Sequence, residues 1–353
     1  MEREIVLIGE PTSERTEYFL AAAQALHLRA RVLPPPNLAF PVEEGFPDFN
    51  FSFLQGKSAK IDPPRSVGSD LSDLPAFAGR YRQFLMQVDA VPGLRLLNSG
   101  QALWDTLDKL ECKRRLEDAG LPVTPRVAEN PRSVGELRNL FASMHGTGLF
   151  IKPRFGSGAA GVLAWRRNPS TKAEVLYTSA VLDKTTVQNG GTLRRITDSL
   201  EIDGILDIVL QQETIVEEWM PKARRGGKSY DLRVIFQFGH VVATVARRSD
   251  GPVTNLHLNN DPAPVISLSL GGKRQQEIEQ ICTDAVRCFP GLDCAGFDIL
   301  LTPGTLKPYV IEINGQGDFL HRDARGGNRV FREQVRMLSG LEGRFGGMPG
   351  APL

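Results

Sequence analysis

The stretch that most constrains this chain is Gly296-Phe297-Asp298-Ile299-Leu300-Leu301, followed after a short break by Tyr309-Val310-Ile311-Glu312-Ile313-Asn314. Both segments alternate β-branched or aromatic residues with others, and Thr302-Pro303-Gly304-Thr305 between them is turn-forming. The pattern predicts a hairpin folded about Gly304 that sets Asp298 opposite Glu312, within one register step. Glu312 and Asn314 are two apart, so they project from one face. Two carboxylates and an amide carbonyl then converge on a sheet otherwise built from Phe, Ile, Val and Leu. At such separations like charges repel and lose hydration, so either one protonates or a cation lies between them. Hard oxygen ligands of this kind suit Mg2+. The alternative is an edge hairpin whose polar residues face water; Asp, Glu and Asn together in so apolar a run favour the metal.

The 353 residues, 41% hydrophobic and 24% charged, are enough for two or three globular domains. A formal charge of +1 gives no reason to expect nucleic acid or an anionic membrane as partner. No apolar run approaches a bilayer span. Met1-Glu2-Arg3-Glu4 leads straight into Ile5-Val6-Leu7-Ile8 with no signal-peptide core, which sets the expectation of a cytoplasmic protein. Cys112, Cys282, Cys288 and Cys294 have neither CxxC spacing nor His-rich surroundings, and reduced structural thiols are expected.

Residues 4–9 read as a parallel strand buried on both faces, followed by a helix from Ser13 to Leu26 and a strand at Arg29 to Leu33. This is a Rossmann-like β-α-β start. Its first turn, Gly9-Glu10-Pro11-Thr12, lacks a glycine fingerprint, so no nucleotide is assigned there. Between Pro34 and Pro75 the only strand-like run is Phe49 to Leu54. The loop Ile61 to Arg65 either reaches a site or is plain surface. A helix over 75–90, a short strand at Leu94 to Leu97 and a single helix from Gln101 to Ala119 follow, the last one capped by Asn98-Ser99 and stopped by Gly120 and Pro122. Lys109 lies off the apolar stripe of that helix, the place of any solvated lysine.

Phe150-Ile151-Lys152-Pro153 ends a strand, and Gly156-Ser157-Gly158-Ala159-Ala160-Gly161 follows. The spacing is formally G-x-G-x-x-G, but Val162 to Trp165 is another strand, whereas a dinucleotide fingerprint opens a helix. Such a β-loop-β unit lies over a phosphate chain through its backbone N–H groups, with Lys152 adding a charge, or is simply a flexible glycine turn. The sequence further predicts a polar helix at 192–203, a strand-like Ile208 to Leu210, a strand ending in Glu217-Glu218-Trp219-Met220 and a mobile basic loop at Lys222 to Lys228. A hairpin from Tyr230 to Ala246, a helix over 273–289 and a last helix ending near Leu338 complete the reading.

Taken in order, these pieces resemble the ATP-grasp superfamily, and within it the ligases that join a carboxylate to an amine. The resemblance spans roughly Asn98 to Phe319 and rests on Lys109, Lys152-Pro153 with its glycine loop, Glu217 to Met220, Asp231-Leu232-Arg233, Arg247, Asn255, and Asp298 with Glu312-Ile313-Asn314. It implies a mixed α/β (α+β) fold. The parts are a Rossmann-like N-terminal domain (1–98), a linker helix with a small lid domain (99–215) and a C-terminal antiparallel-sheet domain (216–353). The nucleotide would bind between the last two.

By the same resemblance ATP and Mg2+ are the cofactors. Lys109 and Lys152 contact phosphates, Gly156, Ser157, Gly158 and Gly161 form the lid loop, and Glu217, Glu218, Trp219 and Met220 form the hinge that reads the adenine edge, with an acidic side chain near the ribose. Arg233, Arg247 and Asn255 act on the transferring phosphoryl group, and Asp298, Glu312 and Asn314 hold the metal. Gly315-Gln316-Gly317-Asp318 departs from the Ser-Pro-Gly usual after that Asn, and Gln211-Gln212-Glu213 competes for the hinge register. The implied reaction proceeds through an acyl phosphate and needs positioning and charge neutralisation rather than a nucleophilic side chain. A kinase on the same fold and a non-catalytic ATP-binding module are the rival readings. The expected partner is a small-molecule or peptide substrate, and a homodimer is left open.

Arg322, Arg325 and Arg329 follow the metal strand closely, where guanidinium groups suit a second substrate carboxylate or serve only as solvated surface charges. On the first reading Arg322→Ala and Arg325→Ala raise KM for an acidic substrate and spare ATP. Steady-state kinetics in which both variants keep the wild-type KM would show the loop to be plain surface.

Overall fold

Four successive apolar residues without polar alternation must be covered on both faces, and β1 (Ile5–Ile8) has no exposed residue. The structure, a computed structural model, describes residues 4–38, 45–64, 70–144, 148–156, 158–184, 186–254, 261–264, 270–316 and 327–340. From β1 the chain passes through α1 (Glu14–Ala25), capped by Ser13, to β2 (Ala30–Leu33). Then come β3 (Ser58–Ile61), α2 (Leu74–Asp89) and β4 (Arg95–Leu96), giving a parallel sheet in the order β2-β1-β3-β4. The strand expected at Phe49 to Leu54 is instead a turn of 3-10 helix over Phe51–Leu54, capped by Asn50, and the strand is β3. Its aromatic residues serve the core: Phe49 meets Phe84 edge-on at 4.9 Å.

The single helix expected over 101–119 is two, α3 (Gly100–Leu107) and α4 (Lys109–Asp118), broken at Asp108. Asp108 is extended (ψ 93°), and its side chain accepts the Glu111 N–H as an N-cap. Short acids compete with the helix for backbone donors, so an Asp three residues before a Glu starts a helix more readily than it continues one. Arg154 fixes the break by donating to both Asp108 oxygens, at 2.8 and 2.6 Å.

The middle of the chain builds a six-stranded antiparallel sheet, order β5-β10-β6-β7-β8-β9. It comprises β5 (Arg126–Glu129), α5 (Val134–Ser143), β6 (Gly148–Pro153), β7 (Leu163–Arg167), β8 (Glu174–Asp183), β9 (Thr186–Ile196), α6 (Ser199–Val209) and β10 (Thr214–Trp219). The helix expected at 192–203 is thus the end of β9 followed by α6, whose N-cap Asp198 accepts from Glu201 N–H, and Ile208-Val209 close α6 rather than forming a strand. Trp165, Phe141, Ile205 and Leu206 fill this core, and Leu71 from the preceding domain is inserted among them.

The last third comprises β11 (Arg224–Arg225), β12 (Lys228–Gln237), β13 (His240–Ser249), β14 (Asp261–Pro264), α7 (Gly272–Arg287), β15 (Cys294–Leu301), β16 (Pro308–Asn314) and α8 (Arg329–Ser339). Its antiparallel sheet runs β14-β13-β12-β15-β16, with β11 paired to β12. The basic loop expected at 222–228 is therefore a tight β11–β12 turn, and Lys222 ahead of it is half-buried and ion-paired to Asp231. Ile278, Ile281, Cys282 and Ala285 of α7 pack beneath Phe236, Phe297 and Leu301, while α8 returns to the first domain and seats Phe331 beside Phe19 and Leu7. All four cysteines are free thiols. Among the described residues no helix is long and apolar enough to cross a membrane.

One side chain ties the ends of this architecture together. Asn98 is 6% exposed. Its Nδ2 donates to Cys294 O (2.8 Å) and Gly315 O (2.7 Å), and its Oδ1 accepts from Asp293 N (2.9 Å) and Cys294 N (2.9 Å). The first domain is thereby fastened to the start of β15 and to the turn after β16. Asn98→Ala leaves these buried groups unpaired and should cost about 3 kcal/mol of unfolding free energy, read from the urea midpoint. An unchanged midpoint would show that the junction does not depend on it.

Candidate active site

Pairing across three strands sets Arg233 on β12, Asp298 on β15 and Glu312 on β16 in one row. Asp298 is opposite Glu312, as the hairpin pattern requires, and a bulge follows immediately, where Ile299 pairs with Val310. Asn314 lies opposite Gly296. β15 is buried along its whole length, so Asp298 is charged only if cations accompany it. Asp298 Oδ1 is 2.8 Å from Arg233 Nη1, and Oδ2 is 3.1 Å from Arg247 Nη2.

Behind Arg247 lies Asp231, 1% exposed. It accepts from Arg247 Nε (2.8 Å), from Lys222 Nζ (2.8 Å) and from the Thr254 hydroxyl. Burial alone would raise the Asp231 pKa, but Arg247 and Lys222 hold it far below the usual carboxylate range. Burial draws the Lys222 pKa down against the pull of Asp231.

The six-stranded sheet supplies the facing wall. Lys152 on β6 and Glu217 on β10 are buried and ion-paired at 2.8 Å. Glu217 also meets Lys113 of α4 at 3.0 Å and accepts from Thr124 Oγ1 at 2.8 Å. Desolvation would raise the Glu217 pKa, but Lys113 and Lys152 bring it down to about 2. The helix break at Asp108 makes Lys109 the first residue of α4, where its ammonium donates to Gly156 O and lies 3.6 Å from Glu312 Oε1.

Between the two walls is an open cleft. Its polar lining includes Lys152, Glu218, Lys222, Arg247, Asp298 and Glu312, and Phe150, Val162, Leu300 and Ile311 give it apolar sides. A narrower recess alongside holds Lys109, Lys113 and Glu217. The structure thus gathers Lys109, Lys152, Glu217, Glu218, Met220, Arg247, Asp298 and Glu312 about one space, with Arg233 touching Asp298.

Trp219 takes a different position. Its indole is covered by the Arg166 guanidinium at 3.7 Å and packs on Phe150, so its side chain serves the lid sheet. Glu213, in the competing hinge segment, is exposed and paired with Arg154 at 2.9 Å. In the glycine loop, Gly156, Gly158 and Gly161 have positive φ. A Cβ on Gly161 would come within 2.7 Å of Pro153, so this turn admits no side chain. Arg329 opens α8 and donates to Val242 O. Ser157, Asn255, Arg322 and Arg325 lie outside the described residues.

Sequence reasoning missed Lys113, Lys222, Thr124 and Thr254. Lys113 had a signal, since it stands one helical turn after Lys109 and shares its face. Lys222 had none, because a lysine in a basic run next to glycines reads as solvated.

No protein-family model matches the sequence, and no curated protein matches it significantly. Solved structures do match its fold. The ATP-grasp ligase PsnB, complexed with a phosphomimetic variant of a minimal precursor, Mg and ADP, aligns with TM-score 0.58 at 16% identity over 96% of this chain and 99% of that one. D-cycloserine synthetase DcsG aligns with TM-score 0.61 at 14% identity, covering 95% and 99%. Macrocyclase MdnC from Microcystis aeruginosa, bound with precursor peptide MdnA, gives 0.60 at 12% identity, covering 96% and 99%. At such identities the likeness is one of fold. The chain has the ATP-grasp fold over nearly its whole length.

The buried Glu217 carries a consequence for acid stability. A carboxyl depressed from 4.5 to about 2 contributes stability that is complete above pH 4.5 and is lost as pH falls toward 2. The difference in unfolding free energy between wild type and Glu217→Gln should therefore shrink by up to about 3 kcal/mol over that window. Urea titrations at stepped pH give the measurement, and a difference independent of pH would contradict the depressed pKa.

Proposed function

We propose that the chain is an ATP- and Mg2+-dependent ligase that joins a carboxylate to an amine through an acyl phosphate. The observation that carries the reading is the row of Arg233, Asp298 and Glu312 beneath a cleft whose opposite wall presents Lys152. Asp298 Oδ1 is buried and, although close to Arg233, has no aligned hydrogen bond, so a lone pair remains for a cation. Glu312 adds a second carboxylate, and Asn314 an amide on the same face of the strand. Among the described residues there is no cluster of three or more His, Cys, Asp or Glu. A sparse set of two carboxylates and an amide fits Mg2+, which retains several waters.

Mg2+-ATP, when bound, supplies the phosphoryl group that activates the carboxylate as an acyl phosphate, from which the amine displaces phosphate. Lys109 and Lys152 neutralise phosphate charge, and the backbone of Glu218 to Met220 meets the base between the apolar walls. Glu218 is the acid available to the ribose, because Glu217 is engaged by two lysines. Arg233 and Arg247 are held at Asp298, where charge builds up during transfer. Gly156 to Gly161 with Ser157 covers the phosphates, and Asn255 belongs to the same catalytic group. PsnB and MdnC are described in complex with precursor peptides, which supports an amino acid, a peptide or another small acid as substrate.

An ATP-turnover screen against amino acids, dipeptides and peptides, with mass detection of products, tests the reading. An amide with free phosphate is expected. A stable phosphorylated product would make the protein a kinase, and no turnover with any acceptor would leave it a binding module. With a substrate found, Asp298→Asn and Glu312→Gln should each lower kcat at least about a hundredfold while the circular dichroism spectrum is kept. Wild-type activity in either variant would remove the metal assignment.

A further inference from the structure

The buried group around Glu217 has a charge count that sets the sign of the cleft wall. Lys113 Nζ donates to Thr124 O (3.1 Å) and Thr124 Oγ1 (2.7 Å) and meets Glu217 Oε1 at 3.0 Å. The one hydroxyl proton of Thr124 goes to Glu217 Oε2 (2.8 Å), so toward Lys113 that oxygen only accepts. Three acceptors around Lys113 require three N–H donors, which only the ammonium form has. Lys113 is 4% exposed and fully engaged. Lys152 differs: among the described residues Glu217 alone meets its ammonium, at 2.8 Å, and it lines the cleft. Glu217 thus lies between two lysines and balances one of them.

We propose that Lys113 is the positioning residue that keeps Lys152 effectively cationic: by neutralising Glu217 from behind, it leaves one uncompensated positive charge facing the cleft as an anion subsite. Without Lys113, Glu217 and Lys152 form a neutral pair and the wall loses its attraction for phosphate. A buried ion pair with no net charge draws an anion far less than a lone ammonium at the same place. The whole cluster lies in the seam where α4 meets β6 and β10, so Lys113 acts through Lys152 rather than by touching ligand. The inference rests on the ATP reading and deepens it. It also gives a reason for an acid at the base of an anion site, which would otherwise oppose binding.

The test is calorimetric titration of the full chain with Mg2+-ATP. Lys113→Met should weaken binding about tenfold or more. Adding Glu217→Gln in the same chain removes the compensating negative charge and should restore affinity to within about threefold of wild type. A merely structural lysine gives no such rescue, because the double variant disturbs the packing more than the single one. If Lys113→Met does not fold, Lys113→Gln, whose amide still donates to Thr124 O, takes its place in both arms. Unchanged affinity in the single variant, or a double variant that binds no better than the single, overturns the inference. Lys152→Ala is the control for the underlying reading. If wild type does not bind Mg2+-ATP, or Lys152→Ala binds as tightly as wild type, the ATP assignment fails and takes this inference with it. If Lys152→Ala weakens binding while Lys113→Met does not, only the inference falls.

Discussion

A carboxylate on a strand that is buried along its whole length can stay charged only in the company of cations, and Asp298 imposes that condition on the rest of the molecule. Arg233 comes from the neighbouring strand and Arg247 from the one beyond, and Arg247 in turn needs Asp231. Asp231 needs Lys222. Charges alternate along the cleft wall from one buried acid to the next cation. Pairs of this kind contribute little net stability, since desolvation offsets most of the Coulomb attraction. Their presence in the interior therefore points to a task that needs charge in a dry place, such as the phosphoryl transfer proposed above.

The same logic governs the lid side, with Glu217 in the place of Asp298. Glu217 is depressed to a pKa of about 2 because two ammonium groups overcome its burial. Two buried acids, one in each wall, each collect two cations, and the cleft opens between the two sets. The chain reaches this arrangement through elements far apart in sequence. Asn98 locks the first domain to β15 and to the turn after β16, Gln316 donates to Ile61 O and Tyr81 Oη, and Leu71 is inserted into the lid core. Parts of the chain around all three sheets thus hold the walls in place.

Much of this was legible in the sequence because the decisive signals were local. The hairpin of β15 and β16 showed its register through alternation and a glycine turn, and the β-α-β start showed itself through an unbroken apolar strand. The misreadings came where a short polar residue outweighed a helical pattern. Asp108 and Asp198 each stand three residues before a Glu and start helices, which split one expected helix and displaced another. Phe49 to Leu54 reads as a strand because aromatics favour both strands and cores, and here the core prevailed. Lys113 and Lys222 escaped for a different reason. Nothing local distinguishes Lys222 from a solvated lysine, and the one-turn spacing from Lys109 marks the face of Lys113 but not its partner, since each is defined by a group that only the tertiary fold supplies: Glu217, about 100 residues away, and Asp231 across a turn.

The most direct measurement is a crystal structure of the full chain with Mg2+ and a non-hydrolysable ATP analogue. The triphosphate is expected against Lys109 and Lys152, the metal on Asp298 and Glu312, and the base beside Glu218 to Met220. A nucleotide bound elsewhere, or a metal held away from the two carboxylates, would contradict it.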